Sequence, residues 1–287
     1  MSSPNPDPST TFPARFRALS HRDAPLLWGP FFSTPSLRLA DMFAAQAARA
    51  GFSCVCLDAE HGPLDRRDVD ELTLAFRAHG VPILVRPPSG QGDHILAALD
   101  SGADGVMVPH ITSGAGARAA VAAATYTSEE VNGLRGFSGS TRAAGYGRGM
   151  AEHIARSNAA RIVIGQVEDR EALDDIDAIV ATPGLDCVFI GRSDLTVSLG
   201  LADRNAPEVL DAVEMVARLA CEAGKVVGTF TADLAELPRW RALGVNFFLF
   251  GSEVGWLRAG AAAFGEAVRS ADTNDDTGAD TGKDPVG

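Results

Sequence analysis

The apolar run FSCVCL ends in D-A-E-H-G-P at residues 58 to 63. Burying Asp58, Glu60 and His61 without partners would be costly, so a strand that finishes this way is delivering polar groups to a surface where they act. Arg86 closes the run ILVR, Glu168 closes IVIGQVE, and Asp194 follows CVFIG. Two carboxylates with positions left for water and substrate suit a hard divalent cation such as Mg2+ or Mn2+. A histidine can act as a base near neutral pH, and an arginine can stabilise a developing oxyanion. Each residue also has a plain structural reading: His61 as a surface histidine, Asp194 as a helix N-cap, Arg86 as an ion-pair partner, Glu168 as an acid favoured in a first helical turn. Found at the ends of several apolar runs, they favour a shared site.

The elements that must position them are eight short apolar runs, at 26–32, 54–58, 83–86, 105–109, 162–168, 187–191, 226–230 and 247–251. Continuous apolarity suits strands buried on both faces of a parallel sheet. Between them lie Ala-, Leu- and Arg-rich stretches that favour helix, several of them ending in glycine at Gly51, Gly80, Gly102, Gly224 and Gly244, where a left-handed residue can close the helix. Eight such units predict a (β/α)8 TIM barrel, whose active site gathers at the C-terminal strand ends. A doubly wound open sheet would show a Gly-rich phosphate turn after its first strand, and GPFFSTPS is not one. The expected organisation is a single barrel over 15–271 between disordered tails, 1–14 rich in Pro and Ser and 272–287 polar and acidic. The stretch from Thr125 to Arg161 is too long for a simple loop and is expected to form a functional excursion at the barrel mouth.

A net charge of −12 argues against nucleic-acid or anionic-membrane partners, which require Lys and Arg clusters. No leader pattern and no membrane-length apolar run is present, and Cys54, Cys56, Cys187 and Cys221 lack paired CxxC spacing. They read as reduced core residues of a cytoplasmic protein, with chelation of a soft metal by Cys54 and Cys56 the minor alternative.

DAEHGP at 58–63, LVRPP at 84–88, GQVEDREAL at 165–173, FIGRSDLTVSLG at 189–200 and the loop GLRGFSGSTRAAGYG, taken in order, resemble the HpcH/HpaI aldolase family of metal-dependent pyruvate aldolases. The resemblance runs from about Leu27 to Arg258. It implies reversible cleavage of a 4-hydroxy-2-oxo acid to pyruvate and an aldehyde, with Mg2+, Mn2+ or Co2+ as the cofactor. It further implies that Glu168 and Asp194 hold the metal, that His61 is the general base, and that Asp100 pairs with it. Arg86 would contact the oxo group, Gln166 would line the pocket, and the Ser193 and Asp194 amides would hold the pyruvate carboxylate. A homo-oligomer is implied, a hexamer built from dimers that exchange the last helix, for which the segment 255–268 would serve. The sequence departs from the family where Gly191-Arg192-Ser193-Asp194 stands in place of Gly-Pro-Ala-Asp and Phe31 in place of Trp, which leaves the aldehyde partner open.

The residues fit this chemistry without the family. The enolate released by aldol cleavage must be stabilised by a Schiff base or by a metal ion. Only two lysines are present: Lys283 lies in the tail, and Lys225 opens the seventh run at the wrong end. A lyase acting on acyl-CoA esters and an enzyme condensing an oxo acid with another carboxylate would use the same carboxylate pair. A non-catalytic binding module would have no evident need of His61, Arg86, Asp100, Glu168 and Asp194 together.

Overall fold

The computed structural model describes residues 11–21, 23–129, 131–147 and 149–275. Eight strands close into a parallel barrel in sequence order: β1 (Leu27–Phe32), β2 (Val55–Asp58), β3 (Ile83–Arg86), β4 (Gly105–Val108), β5 (Ile162–Val167), β6 (Cys187–Ile190), β7 (Val226–Thr231) and β8 (Phe247–Ser252). All eight expected strands are present, and β8 returns to pair with β1. Helix α1 (Phe12–Arg17) precedes the barrel; α2 (Leu37–Ala50), α3 (Arg66–Ala78), α4 (Gly92–Asp100) and α5 (Gly114–Ala124) follow the first four strands. Then come α6 (Met150–Ala160), α7 (Arg170–Asp174), α8 (Ile176–Val180), α9 (Arg192–Ser198), α10 (Pro207–Glu222), α11 (Leu237–Ala242) and α12 (Glu253–Asp275). Gly51 closes α2 in the left-handed conformation at φ 75°, and the other four assigned glycines also have positive φ.

Alternation along the strands divides the core in two. Cys54, Cys56, Leu84, Met107, Ile162, Ile164, Cys187, Phe189, Phe247 and Leu249 fill the barrel interior. Their neighbours Val55, Leu57, Val85, Val106, Val163 and Val188 face outward against the helices. The Cys54-Val-Cys56 pair is therefore interior packing, both side chains fully buried and both thiols pushed up by burial, and not a chelating pair.

Three expectations are corrected. Residues 12–14, assigned to the N-terminal tail, belong to α1, capped by the Thr11 side chain, with Phe12 and Phe16 buried against the floor of the barrel. Residues 272–275, assigned to the C-terminal tail, continue α12; residues 1–10 and 276–287 lie outside the described residues. The excursion 125–161 does not stand at the mouth. It joins the C-terminal end of α5 to the start of β5, and because each helix runs back antiparallel to its strand, that connection falls at the N-terminal end of the barrel.

Candidate active site

The C-terminal ends of β1, β2, β3, β5, β6, β7 and β8 surround a cavity of about 290 Å³ whose lining includes Phe31, Asp58, His61, Arg86, Gln166 and Asp194. Asp58 and Arg86 are opposite each other in the β2–β3 register. Arg86 donates from Nε to Asp58 Oδ1 at 3.0 Å and from a terminal nitrogen to Oδ2 at 2.7 Å. The backbone N–H groups of Glu60 and His61 also donate to Asp58 Oδ1, both at 3.2 Å. This is why the second strand ends in charge: Asp58 turns the chain that carries His61 and anchors the arginine beside it. Phe31 supports the guanidinium from below, 4.5 Å from its ring centre, a favourable cation–π contact.

His61 is exposed at the rim, its Nε2 3.8 Å from Glu60 Oε2. Asp100 is not its partner within this chain. As the last residue of α4 it lies at the opposite end of the barrel, where its Oδ1 accepts from Arg135 at 2.9 Å.

Glu168, the residue after β5, is 1% exposed. Burial pushes its carboxyl up to about 7, and the neighbouring Glu60 and Asp194 charges push the same way. Its Oε1 accepts from the His110 backbone N–H at 3.0 Å and its Oε2 from the Gln166 amide. Gly191 makes room for it, since a Cβ there would stand 2.5 Å from Glu168 Oε2. Asp194, in the first turn of α9, lines the same cavity beside Ser193.

His110 was not singled out in the sequence, although the rule that found the others, a polar residue at the end of an apolar run, applies to GVMVPH. It takes a left-handed backbone, φ 54°, which aims its ring across the mouth. Nδ1 lies 2.9 Å from Asp169 and 3.7 Å from Glu168, and Nε2 lies 3.3 Å from Glu60. Glu253, also unforeseen, is a positioning residue: its Oε1 accepts from the backbone and hydroxyl of both Ser33 and Thr34, tying α12 to the loop after β1.

The donor set fits a divalent cation. Glu60, His110 and Glu168 bring one ligand atom each within 4.8 Å of one another, and Asp194 is close enough to raise Glu168. Gln166 Oε1 is buried without a hydrogen bond among the described residues, and Glu60 Oε2, also without one, lies 3.2 Å from a terminal nitrogen of Arg86. Oxygen-rich, over-acidic and under-satisfied, the group lacks a positive charge that Arg86 and His110 alone do not supply.

Arg192, where the sequence departs from the pattern it resembles, borders the mouth cavity and is 4% exposed. It donates to both oxygens of Glu236, at 2.9 and 2.8 Å, and packs over Trp240. The ion pair with Glu236 thus holds one end of the guanidinium, while its other terminal nitrogen is buried without a hydrogen bond among the described residues. Lys225 donates to the carbonyls of Thr182 and Leu185, both at 2.9 Å, at the N-terminal end of β7.

Comparison with known proteins gives one consistent picture. The family model described as HpcH/HpaI aldolase/citrate lyase matches residues 37–259. A hydroxypyruvate/pyruvate aldolase of Paraburkholderia phytofirmans is 36% identical over 236 residues, 80% of this chain and 90% of its own length. A 5-keto-4-deoxy-D-glucarate aldolase of Shigella boydii is 33% identical over 73% of this chain and 80% of its own. Among solved structures, an HpcH/HpaI aldolase/citrate lyase family protein from Burkholderia cenocepacia superposes with a TM-score of 0.82 at 35% identity, covering 90% of this chain and 99% of that one.

Proposed function

The chain belongs to the HpcH/HpaI aldolase/citrate lyase family, and from that premise we propose that it is a divalent-metal-dependent aldolase, a carbon–carbon lyase that reversibly cleaves a 4-hydroxy-2-oxo acid to pyruvate and an aldehyde. The observation that carries the reading is the buried Glu168 carboxylate beside Asp194, facing a mouth that also holds Arg86 and His61. Relatives with aldolase names at 36% and 33% identity support it over the acyl-CoA lyase alternative.

Glu168 and Asp194 would hold the cation, which when bound supplies Lewis-acid stabilisation of the charge that develops on the substrate's 2-oxo oxygen. Arg86 adds a second positive charge at the same oxygen, and because Asp58 and Phe31 fix its guanidinium, no reorganisation is needed during the reaction. The Ser193 and Asp194 amides at the start of α9 orient the substrate carboxylate, and Gln166 borders it. His61 takes the proton from the 4-hydroxyl as the C3–C4 bond breaks, and returns it when the reaction runs toward condensation. Its charge is balanced by Glu60, not by Asp100 of the same chain. We place this enzyme in the cytoplasm as a homo-oligomer, with a hexamer the expected form. The cysteines are all free thiols, and among the described residues no helix is long and apolar enough to cross a membrane.

The test is pyruvate release from a panel of 4-hydroxy-2-oxo acids by EDTA-stripped protein given Mg2+, Mn2+ or Co2+, beside Glu168→Ala and His61→Ala. Turnover that returns with metal and is absent from the Glu168 variant supports the reading. A folded protein that releases no pyruvate with any metal defeats it.

A further inference from the structure

The far end of the barrel carries a second cavity, of about 330 Å³, built by the ends of α3 and α4, the start of β5 and the 125–161 excursion. Arg77, Arg135, Arg142, Arg156 and Arg161 line it together with His153, against a single lining carboxylate, Asp104. In a chain of net charge −12, five guanidiniums around one cavity are not the ordinary dressing of a surface. Three have an aspartate: Arg77 with Asp104 at 3.9 Å, Arg135 with Asp100 and Arg142 with Asp70, both at 2.9 Å. Arg161 donates only to the neutral oxygens of Thr125 and Asn158, and Arg156 has no hydrogen-bond or ion-pair partner among the described residues. Arg135, 7% exposed, leaves its buried Nε without a hydrogen bond. A buried charged donor left unmet is costly, and here it lies beside other positive groups. Burial and then the neighbouring Arg135 and Arg156 lower the pKa of His153, a sign of the positive field beside it.

We propose that this cavity binds a small oxyanion bearing two or more negative charges, the shared chemistry of a phosphate ester and a di- or tricarboxylate. Planar arginine forks match both groups, and the volume is at the lower end of small-molecule sites. The site is distinct from the proposed active site: β4 and β5, about 3.3 Å per residue, separate the two ends. Arg142 and Arg135 already tie the excursion to Asp70 of α3 and Asp100 of α4, so an occupied site would add one central charge to walls that are held together.

The test is calorimetric titration of the full-length, metal-stripped protein at fixed ionic strength, with inorganic phosphate and with citrate as the two probes. Arg86→Gln removes the arginine of the proposed active site; Arg156→Gln and Arg142→Gln alter the far cavity, and Arg156 is exposed enough for its variant to fold normally. Expected is one saturable event per chain that persists in Arg86→Gln and weakens about tenfold or more in the other two, the loss of one charge-assisted hydrogen bond. The tighter probe identifies the phosphate or the carboxylate source. No saturable heat in Arg86→Gln, or titrations unchanged in both Arg156→Gln and Arg142→Gln, overturns the proposal.

Discussion

Asp58 and Arg86 are partners twice over, once in the β2–β3 backbone register and again through a two-pronged ion pair of 3.0 and 2.7 Å. Sheet and side chains thus fix one guanidinium at the mouth. Removing the acid breaks a two-pronged buried pair and leaves a guanidinium that is 5% exposed with Glu60, 3.2 Å away, as its carboxylate partner, a loss of about 3 kcal/mol for a broken buried pair. Asp58→Asn should therefore lower both the urea midpoint and kcat/KM. Arg86→Lys, which keeps the charge but not the fork, should lower kcat/KM at least tenfold on the scale of one lost charge-assisted hydrogen bond. Wild-type turnover by Arg86→Lys would show that the fork is not needed.

Glu168 makes the metal-free protein sensitive to alkali. Its folded carboxyl titrates at about 7 because it is buried, against an ordinary value of 4.5. Across that window the folded state keeps a proton that the unfolded chain has released, so stability falls as pH rises and the loss is complete above about 7. At about 1.4 kcal/mol per unit, the deficit is on the order of 3 kcal/mol. Urea denaturation of metal-free wild type and Glu168→Gln should show the variant gaining relative stability from about pH 5 to pH 7.5, and Mn2+ should rescue only the wild type. A difference that does not vary with pH contradicts this account.

His110 separates backbone strain from side-chain chemistry. A non-glycine residue in the left-handed region costs about 1 kcal/mol, so His110→Gly should be more stable than His110→Ala by roughly that amount. Its backbone N–H bond to Glu168 survives in both variants, while the ring facing Glu60 and Asp169 is lost. Metal affinity, measured by titration, should fall equally in the two. Equal stabilities would mean that the 54° φ carries no cost.

At Gly191 the constraint is space. An added Cβ would stand 2.5 Å from Glu168 Oε2 and 2.8 Å from Glu168 Cβ. Overpacking of this kind costs about 1–3 kcal/mol, and displacing Glu168 should reduce metal binding and turnover far more than it reduces Tm. Gly191→Ala with unchanged metal affinity would show that Glu168 can move freely.

The sequence made the strands legible because each is a continuous apolar run closed by a polar residue, and it made the mouth legible because those closing residues are Asp58, Arg86 and Glu168. What it hid was direction. The 125–161 segment looks like a mouth loop when read from its length, and the resemblance places Asp100 beside His61, yet Asp100 ends α4 and the segment follows α5, so both fall at the other end. His110 closes its run as the others do, one residue past Pro109; what the sequence does not show is the left-handed backbone that turns it toward Glu60. Arg192 stood in the right place, but its pairing with Glu236, 44 residues on, leaves no trace in local sequence.

The short helix α1 has a consequence for the order in which the molecule assembles. Phe16 meets Phe247 of β8 with ring centres 5.1 Å apart, Arg17 reaches Asp186 before β6 at 2.7 Å, and Asn246 donates to the carbonyls of Leu19 and His21. The first described helix therefore has its seat in the last strand of the barrel to be made. Until β8 arrives, two phenylalanines wait in water and the barrel floor stays open, so closure of the cylinder and docking of its leading end belong to one late event. Contacts of such long sequence separation are slow to form, and the interval before they do is when nascent chains of this protein are most in need of a chaperone.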